Sequence, residues 1–427
     1  VTERNSNLPV ILGGRPTVTE NQEHAARWPL LDSDDESAVL DVMRAGNLST
    51  AGVLRELEND YSALTGRRHA LAHCNGTSAL LAAFWAIGLE PGDEVLVQSA
   101  TFWASVSPML WLGAVPVFCE SEGERMGPCP LDMERRITPR TRAMVITHLW
   151  GLPARMTQLL DLAKRHGLRV IEDASHAHGA TWRGQACGSL GDVSVMSLQG
   201  DKLAPAGEGG MFLCDEDDLL ERAVCLGDIT RIAQLDTPAR RFAATGFGMK
   251  TRMAPLSAAV GRVQLAKLDE HNQSRHRCIV YLSEALQGMG FETFLPPAHI
   301  ERVYFEFLVR CPPGRLAMDA PDLCTALAQE GCLVSAPRYP LLHQQPFFTE
   351  NHFQQVARLG PQHSVPDYQP DSLPFTQKIN GQLLKLPAFH AASDELLEQY
   401  VAAFQKVLLH AEQITECIAK RTSGATS

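Results

Sequence analysis

The 11 cysteines show no Cys-x-x-Cys spacing, no apolar run approaches the roughly 18 residues of a membrane span, and positive charge is in deficit. An odd set of cysteines scattered from Cys74 to Cys417 argues against a disulfide framework or a zinc ribbon and fits a reducing compartment, so a cytoplasmic location is expected. With 38 Lys and Arg against 49 Asp and Glu, the formal net charge of -11 speaks against a general nucleic-acid binder. Val1 to Trp28 carries Arg4, Glu20 and Glu23 without an apolar core, so neither an export signal nor a membrane anchor is expected. Internal repeats and low-complexity tracts are absent as well.

The length of 427 residues is enough for a sizeable core and for two or three domains. From about Ala70 the sequence alternates between two periodicities. Strands are predicted at Ala70–Ala72, Glu94–Val97, Val115–Phe118, Ala143–Thr147 and Leu168–Ile171, with helices at Ser78–Leu89, Trp103–Trp111 and Met156–His166 between them. Such alternation implies an α/β domain with a mostly parallel sheet and right-handed crossovers. Helices are also expected at Asp34–Ala45, Val53–Leu64, Ala254–Leu268 and Glu270–Gly288. Beyond these, a strand at Val303–Val309 and helices at Asp319–Glu330 and Asp394–Gln413 read as a smaller α+β unit. Pro361–Pro374 reads as an ordered loop or a mobile insert. The expected division is an amino-terminal segment over 1–45, packing on the small domain or at an interface, a large α/β domain over 46–270, and a carboxyl-terminal α+β domain over 271–427.

Chemistry concentrates in Ser197-Leu198-Gln199-Gly200-Asp201-Lys202, followed by Gly207-Glu208-Gly209-Gly210, and in the upstream pair Glu172-Asp173. A lysine that forms a Schiff base needs an electron sink, and a pyridoxal ring is one only while an anion keeps its pyridine nitrogen protonated. Asp173, at the carboxyl end of a predicted strand, suits that role, since open α/β sheets bind ligands there. Lys202 and Asp173 together therefore suggest pyridoxal phosphate. Cys74-Asn75-Gly76-Thr77-Ser78 opens an apolar helix and offers free amides and hydroxyls for a phosphate, although a plain N-cap accounts for it equally well in isolation. Phe102 and Trp103 follow a strand end where an aromatic face can stack on a heterocycle, with core packing as the simpler alternative. Asp173, His176 and His178 also resemble a metal set, but no convincing third and fourth ligand accompanies them, and no metal is expected.

Taken in order, these segments resemble the DegT/StrS family of sugar and aminocyclitol aminotransferases. The resemblance rests on Gly46-Asn47-Leu48-Ser49, Asn75-Gly76-Thr77-Ser78-Ala79-Leu80, Pro91-Gly92-Asp93-Glu94-Val95, His148-Leu149-Trp150-Gly151, Glu172-Asp173, Gly188-Ser189-Leu190-Gly191-Asp192 and Ser197 to Lys202. Arg338-Tyr339-Pro340-Leu341-Leu342-His343 and Leu386-Pro387-Ala388-Phe389-His390 extend it towards Leu409. It implies the fold of type I pyridoxal-phosphate transferases, with Lys202 as the Schiff-base lysine and proton carrier, Asp173 as the pyridinium partner and His176 as a ring-side hydrogen bonder. Phe102 is then expected to stack on the ring with Trp103 beside it. Gly76, Thr77, Ser78 and Ser197 are expected to hold the phosphate, with Gln199 close to the lysine. Arg252 and His343 are expected at the substrate, and a homodimer with shared active sites is implied.

One departure stands out. Many relatives carry Gly-x-Asn-x-Arg, with the asparagine reaching the partner's cofactor phosphate, where this chain has Gly248-Met249-Lys250-Thr251-Arg252. Lys250 offers a point charge to a phosphate but accepts no hydrogen bond.

The implied reaction takes an amino group from glutamate or glutamine, through the pyridoxamine form of the cofactor, to a keto sugar or keto-cyclitol in amino-sugar or antibiotic biosynthesis. A lyase, cyclase or dehydratase of the same fold is the nearest alternative. A turnover-free regulatory protein and a metal-dependent hydrolase are the readings from other classes.

Overall fold

The computed structural model describes residues 7–311, 314 and 318–424. Near its start, helix α1 (Ser33–Ala45) begins with a capping box in which Asp32 accepts from the backbone and Asp35 answers to the Asp32 amide. Helix α2 (Val53–Thr65) follows, ending at Gly66 in the left-handed region with φ of 74°.

The large sheet has seven strands: β1 (His69–His73), β2 (Glu94–Gln98), β3 (Val115–Cys119), β4 (Thr141–Thr147), β5 (Arg169–Asp173), β6 (Val193–Ser197) and β7 (Gly210–Cys214). Their spatial order is β1-β7-β6-β5-β4-β2-β3, and β7 alone runs against the others. Every residue of β2, β3 and β7 is buried, as expected of strands covered on both faces. One face is covered by helix α3 (Gly76–Ala86), apolar around its whole circumference, with Leu80, Ala83 and Phe84 packed against the sheet core. On the other face helix α4 (Met156–His166) presents Leu159 and Leu162 to Met144, Ile146 and Val170.

Helix α5 (Pro255–Ala266) packs on α1 and α2, and the long helix α6 (Leu268–Gly288) carries the chain into the smaller lobe. There the antiparallel pair β8 (Phe307–Arg310) and β9 (Leu383–Leu386) packs with helices α7 (Ala320–Gln329) and α8 (Asp394–Leu409) around Phe307, Leu323, Tyr400 and Phe404. Ile11, Val18 and Ala25 from the amino-terminal segment complete that core.

Three sequence expectations differ from the structure, and a fourth segment takes one of its two expected forms. The helix expected over Trp103–Trp111 is two short turns, Trp103–Ser105 and Ser107–Leu110, because Pro108 cannot donate the amide a continuous helix requires. The strand expected over Val303–Val309 forms only from Phe307. Val303 to Phe305 instead run along the large lobe, where the Val303 amide bonds Gly151 O at 3.2 Å, so their apolar character reflects burial without ladder pairing. The closing helix stops at Leu409 and a second one runs over Ala411–Gly424. Pro361–Pro374 lacks regular structure up to Pro374 but is tied down by Tyr368, whose hydroxyl donates to Pro116 O at 2.6 Å.

The amino-terminal segment is fastened by one acid. Glu330, fully buried at the end of α7, accepts from Val10 N at 2.7 Å, Thr17 Oγ1 at 2.6 Å and Lys406 Nζ at 2.9 Å. Replacing it by alanine takes the carboxylate from the Lys406 ammonium, which keeps only Arg15 O and Thr17 Oγ1, and leaves backbone donors unpaired, so Glu330→Ala should lower stability by about 3 kcal/mol in urea unfolding. Proteolysis between residues 13 and 30 should accelerate in the same variant.

Candidate active site

A cavity of about 950 Å³ opens over the carboxyl ends of the sheet, walled by Gly76, Thr77, Asp173, Ser197, Lys202 and Tyr339 among others. This is where a parallel sheet gathers its strand ends. Asp173 closes β5 and is 5% exposed. Ser105 Oγ donates to its Oδ2 at 2.6 Å and the Ser175 amide donates to its Oδ1 at 3.2 Å. Ser105 is in turn linked to Thr101 at 3.1 Å, and Thr101 to Thr147 at 3.1 Å. Sequence reasoning missed this hydroxyl chain; the i, i+4 spacing of Thr101 and Ser105 was its only trace.

Glu172, the neighbouring residue, points to the opposite face, as alternation along a strand demands. Its carboxylate accepts from His148 Nε2 at 2.8 Å and from the Leu190 and Gly191 amides at 2.8 and 2.9 Å. Cys187 lies close enough that the trio could pass for metal ligands. Yet His148 Nδ1 accepts from the Ala154 amide at 3.1 Å, so the ring and the acid are spent on hydrogen bonds that brace the strand behind the cavity.

The histidines of the Asp173–Ala180 segment part company. The Ala177 amide bonds Ala174 O and the Ala180 amide bonds Ala177 O, so the segment turns instead of running extended. His176 lines the cavity, whereas His178 is fully buried beside Tyr61 with a ring-centroid distance of 5.9 Å. Asp173, His176 and His178 are therefore not brought together as a ligand set among the described residues. His176 stacks on Phe305 at 4.1 Å, accepts at Nδ1 from the Trp150 amide at 3.2 Å, and meets Tyr339 Oη through Nε2 at 3.1 Å. The Trp150 N–H places the ring proton on Nε2, and burial, followed by the fields of Lys202, Arg338 and His178, holds the pKa of His176 well below 6.5.

Lys202 is 8% exposed, and its Nζ sits 4.3 Å from the centroid of Phe305. No ion pair with it forms among the described residues. Burial lowers its pKa from 10.5 to about 8, against an opposing pull from Asp173. The loop is held at the backbone, where the Lys202 amide bonds Gln199 O at 2.8 Å and Trp28 Nε1 bonds Lys202 O at 3.0 Å.

Helix α3 begins at the cavity floor. Asn75 caps it by accepting from the Ser78 amide at 2.8 Å, which leaves the Gly76 and Thr77 amides without partners among the described residues. A Cβ on Gly76 would lie 2.8 Å from Ser197 Cβ, and one on Gly210 would lie 2.5 Å from Asn75 O. Helix start, Ser197 and β7 are thus pressed together into a cradle that only glycine permits. Free amides at a helix start, a buried acid and a buried amine on one cavity fit the phosphate, ring nitrogen and aldehyde of pyridoxal phosphate. Phe102 and Trp103 stand at the cavity rim, 39% and 48% exposed, their rings 5.2 Å apart. Gln199 lines the wall beside Lys202.

Three expected residues lie elsewhere. Arg252 is turned to Thr230 Oγ1 at 3.1 Å, Ser49 Oγ at 2.7 Å and Asp228 at 3.6 Å, outside the cavity wall. His343, expected at the substrate, is fully buried, with Nδ1 at 2.6 Å from Ser99 Oγ and Nε2 at 3.1 Å from Pro370 O; both nitrogens are occupied in bracing the Pro361–Pro374 loop. Lys250 is exposed and away from this chain's own cavity, next to the exposed Met249. Arg338 and Tyr339, quoted only as part of a terminal signature, do line the cavity.

Comparison with known proteins agrees with this geometry. The model of the DegT/DnrJ/EryC1/StrS aminotransferase family matches residues 29–405. The chain is 32% identical over 387 residues to the GDP-perosamine synthase of Caulobacter vibrioides, covering 89% of this chain and 97% of that protein. It is 31% identical over 402 residues to the L-glutamine:2-deoxy-scyllo-inosose aminotransferase of Streptomyces kanamyceticus, covering 90% and 93%. Among solved structures, DesI in the presence of its TDP-sugar product aligns with a TM-score of 0.79 at 27% identity, over 98% of this chain and 99% of that one. The expected fold class, a large mostly parallel sheet with a smaller carboxyl-terminal α+β lobe, is borne out.

Because the cradle has no room for a methyl group, Gly76→Ala should weaken retention of pyridoxal phosphate by about tenfold, read by fluorescence titration of the apoprotein.

Proposed function

The chain belongs to the DegT/DnrJ/EryC1/StrS aminotransferase family, and from that premise we propose that it moves an amino group from glutamine or glutamate to a keto sugar or keto-cyclitol. It is an aminotransferase and its cofactor is pyridoxal phosphate. The observation that carries the reading is a buried, unpaired Lys202 amine sharing one cavity with a buried Asp173 carboxylate. The acceptor class follows from relatives named for a perosamine product and a 2-deoxy-scyllo-inosose substrate at about one-third identity.

When bound, pyridoxal phosphate supplies an aldehyde for covalent attachment to an amine and a ring that accepts electrons from the adjoining carbon. Asp173, steadied by Ser105, would hold a proton on the ring nitrogen. Lys202 would hold the group at its aldehyde, and its free Nζ would carry a proton at the donor's α-carbon. The Gly76 and Thr77 amides, with Ser78 and Ser197, bind the phosphate at the positive end of α3. Phe102, with Trp103 beside it, would cover one face of the ring and exclude water there. Neutral His176, fixed by Trp150 and Tyr339, would orient it. In a homodimer, Lys250 reaches the partner's phosphate; the exposed Phe247 and Met249 beside it suit a surface covered by a second copy.

No helix among the described residues is long and apolar enough to cross a membrane. A cytoplasmic location is proposed from the free cysteines, all 11 of which are unpaired.

Borohydride reduction of the cofactor-loaded protein followed by peptide mapping should place the label on Lys202, and Lys202→Ala should lose turnover by more than about a thousandfold. A label on another lysine would overturn the assignment. Incubation with L-glutamine or L-glutamate should convert the pyridoxal form to the pyridoxamine form, and a panel of keto sugars and inososes should restore the original absorbance. Failure with every amino donor would favour a lyase or cyclase.

The lowered pKa sets a pH dependence. The amine is nucleophilic only when neutral, so capture of pyridoxal phosphate by the apoprotein should rise as pH increases through about 8, where an ordinary lysine would require about 10.5. Stopped-flow absorbance between pH 6.5 and 9.5 reads this midpoint.

A further inference from the structure

Among the described residues that line the cavity, Lys202 and Arg338 are the only lysines or arginines. Lys202 Nζ and Arg338 Cζ stand 4.3 and 5.4 Å from the centroid of the same Phe305 ring, so both cations border one ring in the cavity wall. Its two ends are held very differently. Nε bonds Glu306 Oε1 at 2.5 Å, and the Glu306 side chain is 4% exposed, which makes a fixed inner anchor. Nη1 bonds Asp201 Oδ2 at 3.0 Å, but the Asp201 side chain is 51% exposed, and such pairs are weak and readily exchanged. Nη2 has no protein partner among the described residues.

We propose that Arg338 binds the α-carboxylate of the amino donor through Nη1 and Nη2, and that Asp201 occupies Nη1 as a placeholder the donor displaces. This deepens the aminotransferase reading and rests on it. The amine and carboxylate of an α-amino acid share one carbon, so bringing that amine to Lys202 necessarily brings a carboxylate to the adjoining wall. A keto sugar or cyclitol carries neutral hydroxyls beside its reacting carbon, and any charge it bears is remote from Lys202. A guanidinium with two parallel N–H groups matches a carboxylate in a way a lysine cannot. Glu306 keeps the fork oriented and offsets part of its charge, so the cation persists in the cavity when no substrate is bound.

The test is the donor half-reaction of the cofactor-loaded protein, followed by single-turnover absorbance over a range of L-glutamine or L-glutamate concentrations. Arg338→Met should raise the half-saturating donor concentration by about tenfold or more, with a change of less than about threefold in the rate at saturation. Arg338→Lys, which keeps the charge without the fork, should fall between the two. Asp201→Asn should act in the opposite direction, lowering the half-saturating concentration by about threefold, because the competing carboxylate is gone. A purely structural ion pair predicts loss in both variants. Should Arg338→Met fail to hold the cofactor, Asp201→Asn decides alone. Unchanged or raised donor concentration in Asp201→Asn, or unchanged donor concentration in Arg338→Met, overturns the proposal. Absence of any donor conversion by the unmodified protein defeats the aminotransferase reading itself, and is thereby distinguished from failure of the Arg338 assignment.

Discussion

The site depends on keeping a buried lysine amine free of any carboxylate contact. Had Asp173 closed an ion pair with Lys202, the low-dielectric surroundings would have locked the amine as a cation and removed its nucleophilicity. Instead the Asp173 oxygens receive the Ser105 hydroxyl and the Ser175 amide, and Lys202 Nζ lies against the face of Phe305. The aromatic face offers the ammonium some attraction without a proton acceptor that could hold it charged. His176 follows the same logic. With the Trp150 amide aimed at Nδ1, a second ring proton has no place, so no further positive charge accumulates beside the lysine.

The reversed strand β7 brings the amine to the acid. Ser197 at the end of β6 pairs with Gly210 at the start of β7, so residues 198–209 leave and re-enter the sheet on the side where the parallel strands end. A parallel continuation would have had to carry the chain back across one face of the sheet. The antiparallel return keeps the loop above the strand ends, facing Asp173 two strands away from β7. Its tightness has a steric condition: Gly76 and Gly210 must both lack a Cβ for α3, β6 and β7 to meet at one point.

How much of this was legible in the sequence depended on whether the signal was local. Helix Met156–His166 and the strands around Val95, Val117 and Val145 follow from hydrophobic periodicity, and Lys202, Asp173 and the Gly76 turn from residue types that have few other uses in those positions. The seam between the lobes was not legible. Phe305 reads as part of a strand because it is apolar among apolar neighbours, yet its ring lies between His176 and Lys202, a placement set by the Val303–Gly151 contact 150 residues away in the chain. His343 and Arg252 looked functional because polar side chains in recognisable segments invite that reading. Their partners in the fold, Ser99 and Pro370 for one and Asp228 and Ser49 for the other, come from distant segments and leave no local signal. Arg338 had the opposite fate, since a cation in a terminal signature gives no hint of the lysine it will face.

The smaller lobe and the amino-terminal segment therefore do more than cover the large domain. Arg338 and Tyr339 come from the smaller lobe and Phe305 from the segment that leads into it along the large lobe, whereas Lys202 and Asp173 belong to the larger one. Trp28 ties the two to the same loop: its indole donates to Lys202 O at 3.0 Å while the Arg275 guanidinium of α6 lies 4.1 Å from its ring centroid. Upstream, the segment is bolted to the smaller lobe through Glu330. A rotation of that lobe would pull on the Lys202 backbone through Trp28 and, through Phe305, shift the face against which the amine rests. The lysine backbone, the ring its amine rests on and the guanidinium beside that ring therefore meet in one joint between the lobes. Substitutions in this joint, remote from any substrate, should alter donor recognition and amine reactivity together, whereas changes on the rim around Trp103 should leave the amine as it is.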